Sequence, residues 1–211
     1  PVIADKLLQR GVAKILEAIY EQDFLSCSYG YRPRTGALRA VKDLSSELSS
    51  RKYHSVVEAD IKSFFTNINH ELLLEMLAKR IDDKRFLNLI RKWLKAGIIE
   101  TDGQVTHPVT GTPQGGVVSP ILANIYLHHV IDEWFEETER KHCRGQIYLC
   151  RYADDFVCAF ENGKDAERFY KALSQRLEQF GLEVAEDKTH IIEFSPCKVR
   201  VKTKFDFLGF E

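Results

Sequence analysis

The sequence predicts an α+β fold, a small antiparallel sheet backed by helices. Three observations predict it. Apolar residues recur at helical spacing in several long segments; short β-branched and aromatic runs at 53–61 and 147–160 read as strands; and the second half runs helix, strand-turn-strand, helix, strand. With 211 residues, 44% of them hydrophobic, the chain is long enough to bury one sizeable core or two small lobes sharing an interface.

From Lys6 to Tyr20, Leu7, Leu8, Val12, Ile15, Leu16 and Ile19 mark an amphipathic helix. A loop over 23–36 follows, where Tyr29-Gly30-Tyr31-Arg32-Pro33-Arg34 sets two aromatics beside two guanidinium groups. That combination suits a packed turn or a nucleic-acid contact equally. Thr35 is expected to open a helix carrying Leu38, Val41, Leu44 and Leu48. The run Tyr53 to Ile61 reads as a strand ending on Asp60, and Asn69 as the cap of a helix over 71–81. A further helix over 86–96 stops at Gly97, and weak alternation over 98–110 turns at Asp102-Gly103. Pro120 lies in the first turn of a long helix from about Ser119 to Arg140. Strands at 147–152 and 156–160 flank paired aspartates, and a helix from Asp165 to Phe180 ends at Gly181. Strand-like segments follow at 182–185, 190–194, 199–203 and 205–210.

Lysine and arginine number 30 against 31 aspartate and glutamate, so charge alone announces no nucleic-acid partner. The five cysteines are odd in number and lack CxxC spacing, which points to reduced, structural thiols in a cytoplasmic protein. His128, His129, His142 and Cys143 invite a metal reading, but adjacent helical residues point in different directions and packed or solvated side chains are expected. No run of eighteen apolar residues and no basic-then-apolar leader occurs, so neither a membrane span nor a signal peptide is expected.

The chemistry concentrates at Tyr152-Ala153-Asp154-Asp155, two adjacent acids at the tip of a largely apolar hairpin. Burial and crowding raise carboxyl pKa values unless a cation offsets them, and oxygen-only ligands suit Mg²⁺, or Mn²⁺, rather than zinc. Aspartate is also a common turn residue, and a solvated turn explains the tetrapeptide nearly as well. Asp60 changes the balance. It too ends a strand before a turn into a helix, so three acids meet at one sheet edge and suffice for a two-ion phosphoryl-transfer site.

Four blocks in order give a resemblance to the reverse transcriptases encoded by group II introns, the intron maturases. They are Ser28-Tyr29-Gly30-Tyr31-Arg32-Pro33, the stretch Glu58 to His70, the stretch Gly111 to Asn124, and Arg151-Tyr152-Ala153-Asp154-Asp155, followed by Lys188 and Leu208-Gly209-Phe210. The resemblance implies a right-hand polymerase palm with a mainly helical partial fingers subdomain. Fingers would take 1–54 and 70–116, and palm 55–69 and 117–211. It implies an RNA-directed DNA polymerase that adds dNTPs to a DNA or RNA primer on an RNA template, with intron RNA as a further partner. An RNA-binding splicing cofactor, or the enzyme of a CRISPR or phage-defence system, would look similar.

The resemblance also implies residue roles. Asp60, Asp154 and Asp155 would be the metal-binding triad, with the Ile61 carbonyl as an extra ligand. Phe65 would exclude a ribose 2′-OH, Gln114 would line the nucleotide pocket, and Lys188 would donate a proton to the pyrophosphate or neutralise it. Arg32, Arg34 and Tyr152 would face template and primer, and Leu208-Gly209 would grip the primer end. Thr66 departs from the family pattern, which commonly has aspartate there. The resemblance further implies leading finger strands before Pro1 and a thumb after Glu211, so that the 211 residues alone would polymerise weakly.

Overall fold

Four antiparallel strands build the main sheet of the computed structural model, in the order β4-β5-β1-β6: β1 is Ser55–Asp60, β4 Ile147–Tyr152, β5 Asp155–Phe160 and β6 His190–Glu193. The structure describes residues 2–50, 52–96, 98–99, 105–106, 109–112, 116–193 and 205–210. The central strands β1 and β5 are covered on both faces, which is why they read as nearly continuous apolar runs.

Side chains alternate between two cores. Val57, Ala59, Phe156, Cys158 and Phe160 face a large cluster shared with α1 (Ile3–Tyr20), α4 (His70–Ala78), α5 (Lys84–Leu94), α6 (Ser119–Leu127) and α8 (Gly163–Glu178). Val56, Val157 and Ala159 face the other way, onto Ala40, Leu44 and Leu48 of α2 (Ala37–Ser49) and onto Phe207. The sheet is thus sandwiched between helices, as expected. A separate two-stranded ribbon pairs β2 (Ile98–Ile99) with β3 (Val105–Thr106); its expected Asp102-Gly103 turn lies outside the described residues.

Local chemistry sets the element boundaries. Asn69 caps α4 by accepting from the N–H groups of Glu71 and Leu72, and Asp83 caps α5 in the same way, so both helices begin one to two residues earlier than periodicity alone places them. Thr35 does not cap α2. Its hydroxyl is engaged by the Tyr29 and Arg32 carbonyls at 2.6 and 3.2 Å, and Gly36 stands at the cap position. Between α2 and α4, β1 is followed by the short α3 (Phe64–Asn67).

The expected long helix after Ser119 is present but not uniformly wound. It passes into π-helical turns at His128–Asp132 and Phe135–Glu139 before α7 (Arg140–His142). The segment 182–185 contributes a single bridge, Val184 to Ile61, and 205–210 forms a tight turn with Phe207 and Phe210 paired. Leu208 and Gly209, with φ of 55° and 78°, are both left-handed, the signature of a type I′ turn. The expected strand at 199–203 lies outside the described residues. No described helix is long and apolar enough to cross a membrane, and Cys27, Cys143, Cys150 and Cys158 are free thiols.

Candidate active site

Asp60 closes β1, Asp155 opens β5, and the two are direct cross-strand partners. Tyr152 pairs with Asp155 across the β4–β5 hairpin, leaving Ala153 and Asp154 as its two-residue tip. The register therefore gathers three carboxylates at one end of the sheet. Like charges opposed on neighbouring strands repel. Burial, then the charges of Asp60, Glu58 and Asp154, push Asp155 up to about 7, against the opposing pull of Lys188. Burial also raises Asp154, as does the charge of Asp60, against a backbone hydrogen bond and Lys188. Glu58, two residues back along β1, is raised by its own burial.

The segment after α8 brings in the cation. Lys62 N–H donates to the Glu183 carbonyl and Ala185 N–H to the Asp60 carbonyl, each at 2.9 Å, which fastens 183–185 to the end of β1. Lys188 N–H then closes a turn on the Ala185 carbonyl, and Lys188 Nζ donates to Asp60 Oδ2 at 2.8 Å. This bridge pattern turns the N–H and C=O of Ile61 away from 183–185 and toward the β5 side. Glu58, Asp60, Asp155, Lys188 and His190 line a cleft of about 250 Å³.

A buried network holds the hairpin tip in place. Arg151 is fully buried and forks onto Asp132, with Nε to Oδ1 at 2.7 Å and Nη2 to Oδ2 at 2.6 Å. The remaining donors reach Ser28 Oγ at 2.8 Å, Asn124 Oδ1 at 3.3 Å and the Ala153 carbonyl at 3.0 Å. Burial alone would raise the Asp132 carboxyl, but the charge and hydrogen bonds of Arg151 outweigh it and hold it low. Ala153 sits at φ 56°, a left-handed conformation unfavourable to a residue with a Cβ, and its carbonyl is pinned by Arg151.

The loop before α2 braces the same tip. Tyr29 N–H donates to the Arg151 carbonyl and Arg151 N–H to the Cys27 carbonyl, both at 2.8 Å, so 27–29 pairs with the outer edge of β4. Asn124 Nδ2 donates to the Gly30 carbonyl at 2.6 Å. A Cβ on Gly30 would stand 2.6 Å from the Ala153 nitrogen, so only glycine permits this approach. Ser28, Asn124, Asp132 and Arg151 were not among the residues expected to serve the site. The signal was present as charges inside apolar runs, Arg151 in β4 and Asp132 in the helix after Ser119.

A family model described as "Reverse transcriptase (RNA-dependent DNA polymerase)" matches residues 1–211. The chain belongs to the reverse transcriptase family. Among curated relatives, Protein YkfC of Escherichia coli K12 is 33% identical over 78% of this chain and 50% of its own length. The group II intron-encoded protein LtrA of Lactococcus lactis subsp. cremoris is 43% identical over 62% of this chain and 21% of its own length. The chain thus spans half or less of these relatives. A telomerase structure from Candida albicans, in complex with a telomeric RNA fragment, covers 94% of this chain and 36% of its own with a TM-score of 0.71 at 14% identity. That likeness confirms the fold, a reverse-transcriptase palm with part of the fingers.

The other expected residues are distributed around this centre. Phe65 is half-buried in α3, its ring 5.3 Å from that of the fully buried Phe64. Its carbonyl accepts from Thr112 N–H at 2.8 Å, and Gly111 N–H donates to the Ile68 carbonyl at 2.7 Å, which stitches 110–112 onto α3. A Cβ on Gly111 would meet the Phe65 and Thr66 carbonyl oxygens within 3 Å. Gln114 lies outside the described residues. Thr66 bonds back to the Ser63 carbonyl.

Tyr152 is half-buried beside the exposed ring of Tyr31. Arg32 is turned inward. Its guanidinium forks onto Glu21, donates to the Leu25 and Ser28 carbonyls and lies over Phe24, so it clamps the loop rather than facing outward. Arg34 is exposed. The Leu208-Gly209 turn is anchored by buried Phe207 on the α2 side of the sheet.

A further expectation is overturned. His128 and His129 do not point apart: their ring centroids are 5.2 Å apart. The two histidines open a π-helical turn, in which Glu133 N–H donates to the His128 carbonyl five residues back and Glu133 stands about one turn from both histidines. His142 and Cys143 are elsewhere engaged, with the Thr138 carbonyl and Arg168 respectively.

Proposed function

We propose that this chain carries the catalytic core of an RNA-directed DNA polymerase that extends a DNA or RNA primer with dNTPs on an RNA template. The observation that carries this reading is the cross-strand pairing of Asp60 with Asp155, with Asp154 at the adjacent tip, in a member of the reverse transcriptase family. Three acceptor-only side chains at one sheet edge fit hard divalent cations, Mg²⁺ first and Mn²⁺ as a substitute. Asp60, Asp154, Asp155 and the Ile61 carbonyl would hold them. When bound, such ions activate the primer 3′-hydroxyl and stabilise charge on the pyrophosphate.

The chain's own residues do the rest. Lys188 Nζ, already at the acid cluster, neutralises the leaving pyrophosphate or gives it a proton. Phe65 closes the space a ribose 2′-OH needs, on a backbone held rigid by Thr112, and Gln114 belongs to the block that continues from there. Tyr152 and exposed Arg34 face the nucleic acid, while Leu208 and Gly209 form a primer-gripping turn. Arg32 acts through the loop that braces the hairpin. Residues 1–54 and 70–116 serve as fingers, and 55–69 and 117–211 as palm. The likeness to a group II intron-encoded protein favours intron RNA as a further partner and splicing assistance as a second role.

Primer extension on an RNA template, with dNTPs and Mg²⁺ and the protein as its gene encodes it, tests the reading. Asp154→Ala and Asp155→Ala should each reduce extension by about 10²-fold or more; unchanged extension would refute the mechanism. Because its relatives are longer, the 211-residue chain alone is expected to extend weakly.

A further inference from the structure

We infer that His128, His129 and Glu133 form a second metal site, selective for a borderline transition ion such as Zn²⁺ and separate from the aspartate cluster. One ligand atom from each of the three lies within 4.8 Å of the others. His129 Nδ1 stands 2.5 Å from Glu133 Oε2, and His128 Nε2 stands 3.5 Å from Glu133 Oε1. Two imidazoles and a carboxylate suit Zn²⁺ better than Mg²⁺, which prefers oxygen alone.

The second observation is a buried ring nitrogen without a partner. His128 is 3% exposed, and its Nδ1 is a buried atom without a hydrogen-bond partner, the Asp132 carboxylate standing 3.8 Å away. With Nε2 taken by a metal, Nδ1 carries the proton and faces Asp132 Oδ2, 3.8 Å away, the carboxylate–histidine–metal arrangement common at zinc centres.

The site has an open side. Asp23, Leu25, Lys79, Arg80 and Glu136 border the cleft into which His128, His129 and Glu133 project. Three protein ligands with a free position would leave water or a further ligand on the ion. Because Asp132 also holds Arg151, an ion here would brace the π-helical turn that supports the catalytic hairpin.

The test uses the chelator-stripped 211-residue chain. Competition against a chromophoric chelator should show one Zn²⁺ per chain, retained in the Asp154→Ala/Asp155→Ala variant. His129→Asn and Glu133→Gln should each weaken it by about 10–100-fold. Glu133 is 39% exposed, so Glu133→Gln should fold normally, which circular dichroism checks. Zn²⁺ should raise the thermal midpoint of the parent chain and not of Glu133→Gln, and Co²⁺ should give a visible ligand-field band only in the parent. Absence of tight zinc binding, binding unchanged by both substitutions, or binding lost with the aspartates would each overturn the assignment.

Discussion

Lys188 Nζ and Asp60 Oδ2 lie 2.8 Å apart, so the cation delivered by the segment after α8 occupies an oxygen of the carboxylate that faces Asp155. In the ion-free protein this lysine partly neutralises the acid cluster, and Asp60 in turn holds the ammonium pKa above its usual value.

Lys188→Ala removes a competitor for Asp60. It should leave divalent-cation affinity equal or tighter while slowing nucleotide incorporation by about 10²-fold, the scale of a lost general acid. Single-turnover extension across a Mg²⁺ series separates the two effects. A parallel loss of rate and cation affinity would mean that Lys188 only stabilises the cluster.

Asp155 gives a pH signature. Its folded pKa of about 7 exceeds the unfolded value of about 3.9, so the folded state binds more protons between those limits. The stability this proton contributes is full below about pH 4 and is lost as pH rises through about 7. In metal-free buffer, Asp155→Asn should therefore stabilise the chain at pH 8 by about 1 kcal/mol, after allowance for solvent screening, and have little effect at pH 4. Urea unfolding at the two pH values reads it.

Arg151 and Asp132 are fully buried partners, and removing one leaves the other uncompensated. Arg151→Met or Asp132→Leu alone should cost about 3–5 kcal/mol in denaturant unfolding. The double variant should recover much of that stability, yet extension should stay low because the Ala153 carbonyl has lost its donor. Full recovery of extension would show that the pair does not position the hairpin.

Gly30→Ala forces a Cβ against the backbone of Tyr152 and Ala153. A destabilisation of about 1–3 kcal/mol is expected, with a loss of extension that persists at temperatures where the variant is fully folded. Normal extension there would separate the loop from the catalytic tip.

Phe65→Val enlarges the space beside the nucleotide sugar. Ribonucleotide incorporation should rise at least about tenfold relative to dNTP, a factor worth about 1.4 kcal/mol of discrimination. Competition assays with mixed pools measure it, and unchanged selectivity would remove Phe65 from that role.

The sheet, the helices behind it and the three aspartates were legible because local signals agree there. β-branched runs end on acids, and caps such as Asn69 stand where a side-chain oxygen is needed. What escaped was non-local or geometric. Arg151 belongs to a sequence motif, but its partners Asp132 and Ser28 lie far away in sequence. The inward turn of Arg32 depends on Glu21 and Phe24, which no spacing rule links to it. The π-helical winding leaves the apolar pattern nearly unchanged while it brings Glu133 under His128 by a five-residue hydrogen bond, which no α-helical spacing rule anticipates.

The strands that carry Asp60 and Asp155 pair directly although nearly half the chain lies between them. No local segment can therefore assemble the acid cluster, and the loop-closure entropy of bringing β1 to β5 must be met before any of it exists. During synthesis, β1 must wait, without this neighbour, until the hairpin of β4 and β5 has emerged. Cation binding at these acids would then report completion of the sheet as a whole, and anything that delays the later hairpin would delay chemical competence by the same interval.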